Sequence, residues 1–279
     1  MVPMWRGIPI PRPRFLGIGI ASYIPGMNIT DHSHESRNRN SALQPHIGTF
    51  LSIGSPAVTE LAAECGFDWV LIDLEHGCES EAALPNQLRA LRGSQTLAIV
   101  RVSAPHPDLI SRVLDWGADG IMVPHVNTVA EAQHCVHAAY YPPKGHRGVS
   151  RTVRAYGYGM RLPAGEMPKP IILAQIETAD AVANADQIAA VEGIDALFIG
   201  PADLSYDLKA RNSPLPYDDC VNAIAKAAKD HGKGCGILVR HADDKEKLKA
   251  LGFTWLAMDS DLSLVREGFK HNLEMARSW

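Results

Sequence analysis

From His46 onward, short aliphatic and β-branched runs alternate with longer stretches of helical period, and the alternation repeats eight times. The runs are IGTFLSI (47–53), WVLIDLE (69–75), TLAIVRV (96–102), GIMVPHV (120–126), IILAQIE (171–177), ALFIG (196–200), GILV (236–239) and WLAMDS (255–260). Runs that are apolar at successive positions suit a sheet buried on both faces, and strand–helix alternation implies parallel strands joined by right-handed crossovers. The stretches between them read as helices: PAVTELAAECG, EAALPNQLRALRG, HPDLISRVLDWG, TVAEAQHCVHAAYY, TADAVANADQIAAV, DDCVNAIAKAAKDHG, DDKEKLKALG and SLVREGFKHNLEMARSW. Several begin at Ser, Thr or Asp caps, and Gly66, Gly93, Gly117, Gly232 and Gly252 mark stops. Eight βα units are what a closed (β/α)8 TIM barrel requires, at about 250 residues in one domain. The spacing therefore predicts an α/β barrel over residues 46–279. A doubly wound open sheet is the alternative, but no G-x-G-x-x-G opens a helix, and GKGCG (232–236) precedes a strand, where it stops a helix rather than cradling phosphate.

Residues 1–45 differ in texture. A basic, proline-punctuated start, a short apolar stretch FLGIGIASYI and a polar segment without period predict a poorly ordered extension rather than an export signal. Of the 279 residues, 46% are hydrophobic, ample for a large core, while 31 acidic against 27 basic residues leave a net charge of −4 and no hint of a nucleic-acid surface. No apolar run reaches the roughly 18 residues of a membrane span. Five cysteines, odd in number and without a CxxC pair, predict free thiols in a reducing, cytoplasmic compartment.

In a βα-barrel the carboxyl ends of the strands carry the chemistry. Those ends offer Asp73, Glu75 and His76 on strand two, Arg101 on strand three, His125 on strand four, Gln175 and Glu177 on strand five, and Gly200, Pro201, Ala202 and Asp203 on strand six. Glu177 and Asp203 are hard oxygen donors on neighbouring strands, and two carboxylates would leave a divalent cation open to water and substrate. The plainer reading is that each caps the helix that follows. Arg101, a permanent cation at a strand end, suits stabilisation of a developing enolate or carboxylate, or else a structural ion pair. His76 can move a proton near neutral pH, with Asp115 orienting its ring, unless it is a satisfied core residue. None of the eight runs contains a lysine, which disfavours imine chemistry on the barrel wall. No G-x-S-x-G elbow is present, and Cys78 stands two residues from His76.

WVLIDLEHG, the Arg101 strand, GIMVPHV, YYPPKGHRGVS, AQIET and FIGPADLS occur in order from about Ile47 onward. Together they resemble the HpcH/HpaI aldolases, metal-dependent pyruvate aldolases related to the citrate lyase β-subunit. The resemblance implies Mg²⁺, Mn²⁺ or Co²⁺ held by Glu177 and Asp203, and a 2-oxo acid chelating it with its carboxylate against Gly200–Asp203. It also implies enolate stabilisation by Arg101, proton transfer by a His76–Asp115 dyad, Gln175 lining the site, and a homo-oligomer, often a hexamer built from dimers that exchange the last helix. The segment 160–169 is shorter and richer in proline than is usual in that family, which bears on the aldehyde.

The implied reaction is reversible cleavage of a 4-hydroxy-2-oxo acid of the 2-keto-3-deoxy sugar acid type to pyruvate and an aldehyde. One alternative is a citrate-synthase-like or acyl-CoA lyase on the same core, with His125, Arg147 and Arg151 as tricarboxylate ligands. The other is a non-catalytic barrel serving as a binding protein.

Overall fold

A computed structural model describes residues 45–240 and 245–279. The expectation for residues 1–45, bar the last, and the first residues of the helix expected at 243–252 lie outside the described residues. Eight parallel strands, β1 (His46–Leu51), β2 (Trp69–Asp73), β3 (Leu97–Arg101), β4 (Gly120–Val123), β5 (Ile171–Ile176), β6 (Ala196–Ile199), β7 (Gly234–Val239) and β8 (Trp255–Ser260), close in sequence order into a barrel. Around them run α1 (Pro56–Glu64), α2 (Leu84–Ala90), α3 (Pro107–Asp115), α4 (Val129–Ala139), α5 (Ala179–Ala183), α6 (Ala185–Ala189), α7 (Pro201–Ala210), α8 (Tyr217–Asp230), α9 (Lys245–Ala250) and α10 (Asp261–Arg277).

Three differences from the sequence reading have local causes. The helix expected over 178–191 is two short ones meeting at Asn184. Strand β7 starts at Gly234, inside the glycine-rich stretch, because Gly234 and Gly236 lie against Trp255 and Phe198, where no side chain fits. The G-P-A-D segment opens a helix absent from the eight expected, α7, which Asp203 does not cap: Gly200 is the N-cap and Pro201 stands in the first turn, where its fixed φ and missing N–H cost nothing. Only Leu204 and Leu208 of this helix are buried, too thin an apolar stripe to show as a helical period.

Side chains alternate across each strand, so every second residue enters the barrel. Phe50, Trp69, Leu71, Ile99, Met122, Ile171, Leu173, Ala196, Phe198, Trp255 and Ala257 form this inner core. Trp69 meets Trp255 edge-on at 5.4 Å and Phe198 at 6.2 Å, and Phe198 meets Phe50 at 6.1 Å. A Cβ on Gly48 would come within 2.3 Å of the Trp69 ring, so β1 carries glycine there to admit the indole. The aromatic stack plugs the amino end of the barrel and leaves polar inner residues at the carboxyl end. The outward residues, among them Val70, Ile72, Val100, Ile121, Ile172 and Leu197, pack under the helices.

A second device recurs along the chain. Asp68, Asp119 and Asp195 each stand immediately before an even-numbered strand and accept a hydrogen bond from a backbone N–H of the odd strand before it: Ile47 at 2.7 Å, Ala98 at 2.9 Å and Ile172 at 2.8 Å. Each lies two residues after a helix-stop glycine of positive φ, Gly66 (88°), Gly117 (95°) or Gly193 (108°). The fourth equivalent, Gly252 (79°), is followed by Thr254, whose buried hydroxyl has no partner among the described residues. The barrel thus repeats as four ββ pairs, three of them latched by an aspartate at the amino end. Asp195→Ala is expected to lower unfolding free energy by about 1.5–3 kcal/mol, the usual worth of a hydrogen bond to a charged group. Urea titration would show it, and an unchanged midpoint would mean the latch is idle.

Candidate active site

Inward alternation places a set of polar groups above the aromatic plug. Asp73 and Arg101 are register partners on β2 and β3. Arg101 is buried and forked onto Asp73, Nε to Oδ1 at 2.9 Å and Nη2 to Oδ2 at 2.7 Å, with Nη1 3.0 Å from Glu75 Oε2. Its guanidinium lies 5.5 Å over the Phe50 ring. Burial alone would raise the Asp73 pKa, but the Arg101 hydrogen bond and charge, with the His76 and Glu75 N–H groups, hold it below the usual carboxylate range. The ion pair weighed from sequence therefore exists. The fork on Asp73 takes two of the five guanidinium N–H groups and the Nη1 contact to Glu75 a third, which leaves two.

Glu177 follows β5 and is 1% exposed. Its Oε1 accepts from the His125 N–H at 2.7 Å, and its Oε2 from Gln175 Nε2 at 2.5 Å. It does not cap α5: Thr178 does, its hydroxyl accepting from the Ala181 N–H. Burial raises the Glu177 pKa most; the His125 N–H and ring oppose this, and the charges of Asp203 and Glu75 add to it. A buried carboxylate with two acidic neighbours and, among the described residues, no ion pair to a Lys or Arg is short of positive charge. Gly200 is backed directly against it, since a Cβ there would stand 2.3 Å from Glu177 Oε2. Gln175 keeps a buried Oε1 without a partner among the described residues.

Asp203 is exposed in the first turn of α7. It is close enough to Glu177 to raise the latter's pKa, and it sits where the free N–H groups of a helix start attract anions. These observations fit a divalent cation. Glu177 and Asp203 would hold it, and Asp73, Glu75, Glu177 and Asp203 against the single charge of Arg101 leave an acidic surplus at the mouth. Among the described residues no three His, Cys, Asp or Glu side chains are arranged to ligate a metal, so two carboxylates would leave the remaining positions to water and substrate.

His76 is open to solvent, its Nε2 3.9 Å from Glu75 Oε2. Asp115 is not beside it within this chain. It closes α3, which runs from the Arg101 end back toward the amino end of the barrel, about 13 Å over nine residues. There it accepts from Arg147 Nη2 at 2.6 Å. Arg147 is buried over the Tyr141 ring, and with Arg151 it lies on the segment between α4 and β5. Arg147, held by Asp115 at the amino end, is therefore not assembled with His125, which lies against Glu177 at the carboxyl end, so the tricarboxylate set is not brought together within this chain. What the strand-end inventory left without a role is Glu75, which stands among Arg101, His76 and His125 Nε2 (3.7 Å), and Asp73, whose pairing with Arg101 follows from register and is visible only once the strands are aligned.

The HpcH/HpaI aldolase/citrate lyase model matches residues 46–268. The chain belongs to the HpcH/HpaI aldolase/citrate lyase family. It is 38% identical over 233 residues to a 5-keto-4-deoxy-D-glucarate aldolase of Salmonella arizonae, covering 82% of this chain and 91% of the relative. An HpcH/HpaI aldolase/citrate lyase family protein from Burkholderia cenocepacia has the same fold at TM-score 0.79 and 30% identity, covering 86% of this chain and 96% of that one. The citrate synthase SbnG is similar at TM-score 0.72 and 30% identity, covering 84% and 94%. The fold expected from the eight-fold alternation and the family read from the six motifs both hold.

Proposed function

We propose that this HpcH/HpaI family member is a carbon–carbon lyase that reversibly cleaves a 4-hydroxy-2-oxo acid of the 2-keto-3-deoxy sugar acid class to pyruvate and an aldehyde. The observation that carries the reading is the under-neutralised Glu177 beside Asp203, next to an arginine with two N–H groups to spare. A divalent cation, Mg²⁺, Mn²⁺ or Co²⁺, held by Glu177 and Asp203 would supply Lewis acidity toward the 2-oxo group. The Ala202 and Asp203 N–H groups at the start of α7 receive the substrate carboxylate. As the C3–C4 bond breaks, its electron pair becomes the enolate of pyruvate, and the spare N–H groups of Arg101 donate to the oxygen that gains charge. His76, beside Glu75, takes the 4-hydroxyl proton as the aldehyde forms and returns a proton to C3 of the enolate, which completes pyruvate and leaves the imidazole neutral again. Asp73 keeps the guanidinium in place.

The test is metal-stripped, reconstituted protein assayed for pyruvate release from 4-hydroxy-2-oxo acids, and for condensation of pyruvate or hydroxypyruvate with small aldehydes. Cation-dependent turnover is expected. Turnover with oxaloacetate as acceptor in place of aldehydes would instead favour the citrate-forming reading.

We further propose a homo-oligomer in a reducing compartment such as the cytoplasm. Support for the first is the apolar stripe Leu262, Val265, Phe269 and Leu273 exposed along α10. Support for the second is that Cys65, Cys78, Cys135, Cys220 and Cys235 are all free thiols. No helix among the described residues is long and apolar enough to cross a membrane.

A further inference from the structure

His125 interrupts the β4–β5 ladder in an unusual way. Val123 pairs with Ala174, yet the next bond to β5 comes from the Val126 N–H to the Gln175 carbonyl at 3.2 Å. Pro124 and His125 are therefore looped out of a ladder that β5 continues without a gap. The excursion is made by a left-handed residue, His125 at φ 52°, a conformation uncommon for a side chain other than glycine and one that collects at functional sites. Its result is the 2.7 Å bond from the His125 N–H to Glu177 Oε1.

If the backbone donor were the whole purpose, glycine would serve without strain. The ring is present, and it reaches back over the same carboxylate: Nδ1 is 3.0 Å from Glu177 Oε1, and Nε2 is 3.7 Å from Glu75 Oε1. The imidazole thus spans two acidic groups whose charges repel, one of them nearly inaccessible to solvent. A flexible carboxylate bound by a backbone N–H at one oxygen can still pivot. A second contact at that oxygen, with Gln175 at the other, fixes its plane.

Resting on the cation reading above, we infer that His125 is a positioning residue whose ring, through Glu177, sets how tightly the divalent cation is held. It acts from outside the ligand set, by the contact and charge of its ring on a carboxylate already hydrogen-bonded by its own backbone N–H.

The experiment is Mn²⁺ binding by the full-length protein, measured by titration calorimetry and by the electron paramagnetic resonance signal of free Mn²⁺, with thermal melts of the same samples. His125→Gly retains the N–H and relieves the backbone while deleting the ring; His125→Asn tolerates the left-handed backbone and restores a polar group. The expected result is a Tm for His125→Gly no lower than that of the parent together with Mn²⁺ affinity about 10-fold weaker, and partial recovery in His125→Asn. Mn²⁺ affinity unchanged in His125→Gly overturns the inference while leaving the cation reading intact. A parent protein that binds no Mn²⁺ defeats the cation reading, and this inference with it.

Discussion

Arg101→Ala should cost at least about 10²-fold in kcat for pyruvate release, the scale of losing one donor to a developing oxyanion. Exchange of the pyruvate methyl protons should be lost alongside, while a divalent cation stays bound, because Arg101 contacts Asp73 and Glu75 and the proposed ligands are elsewhere. The same change leaves Asp73 buried without its counter-ion, with a stability penalty of about 3–5 kcal/mol. Arg101→Lys separates the two effects. It keeps a charge for Asp73 but surrenders the flat fork, so the protein should fold while activity stays low. Proton exchange at the parental rate in either variant, followed by nuclear magnetic resonance in heavy water, would remove Arg101 from the chemistry.

Replacing Glu177 with Gln should weaken Mn²⁺ binding by about 10²-fold or more and abolish turnover, since one of only two proposed ligands loses its charge. Its effect on stability should be opposite in sign. The folded protein raises the Glu177 pKa above that of the unfolded chain, so it prefers the carboxyl protonated. Stability linked to this group is therefore fully present below the unfolded-state pKa and declines as pH rises toward the folded-state value. In chelator-treated protein at neutral pH, Glu177→Gln should melt at a higher temperature than the parent, and the gap should close as the solution is acidified. Adding Mn²⁺ should raise the parental Tm and leave the variant unmoved. A variant that melts lower than the parent at neutral pH without metal would mean that Glu177 is held by compensating positive charge.

The barrel was legible because eight apolar runs and glycine stops each follow from local physics. Every stop glycine named from sequence, from Gly66 to Gly252, has a positive φ. Helix α7 was not, since two buried leucines among charged residues leave no period to detect. The site was readable as a list of strand ends, because parity alone turns Arg101 and Gln175 inward. Its wiring was not readable, since wiring depends on register between strands and on which end of the barrel a helix terminus reaches. Asp73 meets Arg101 through register. Asp115, fourteen positions after Arg101 in the chain, is carried by α3 to the other end and into an ion pair with Arg147. His125 departs further still, because its role depends on a left-handed backbone that an isolated histidine in a sequence does not announce.

Anomalous diffraction from crystals grown with Mn²⁺ and pyruvate bears most directly on the cation site. One manganese peak is expected at the carboxyl end of the barrel, within bonding distance of both Glu177 and Asp203, with the 2-oxo acid chelating it and the Arg101 fork still closed on Asp73. A peak touching neither carboxylate, or pyruvate bound away from the ion, would contradict the site described above.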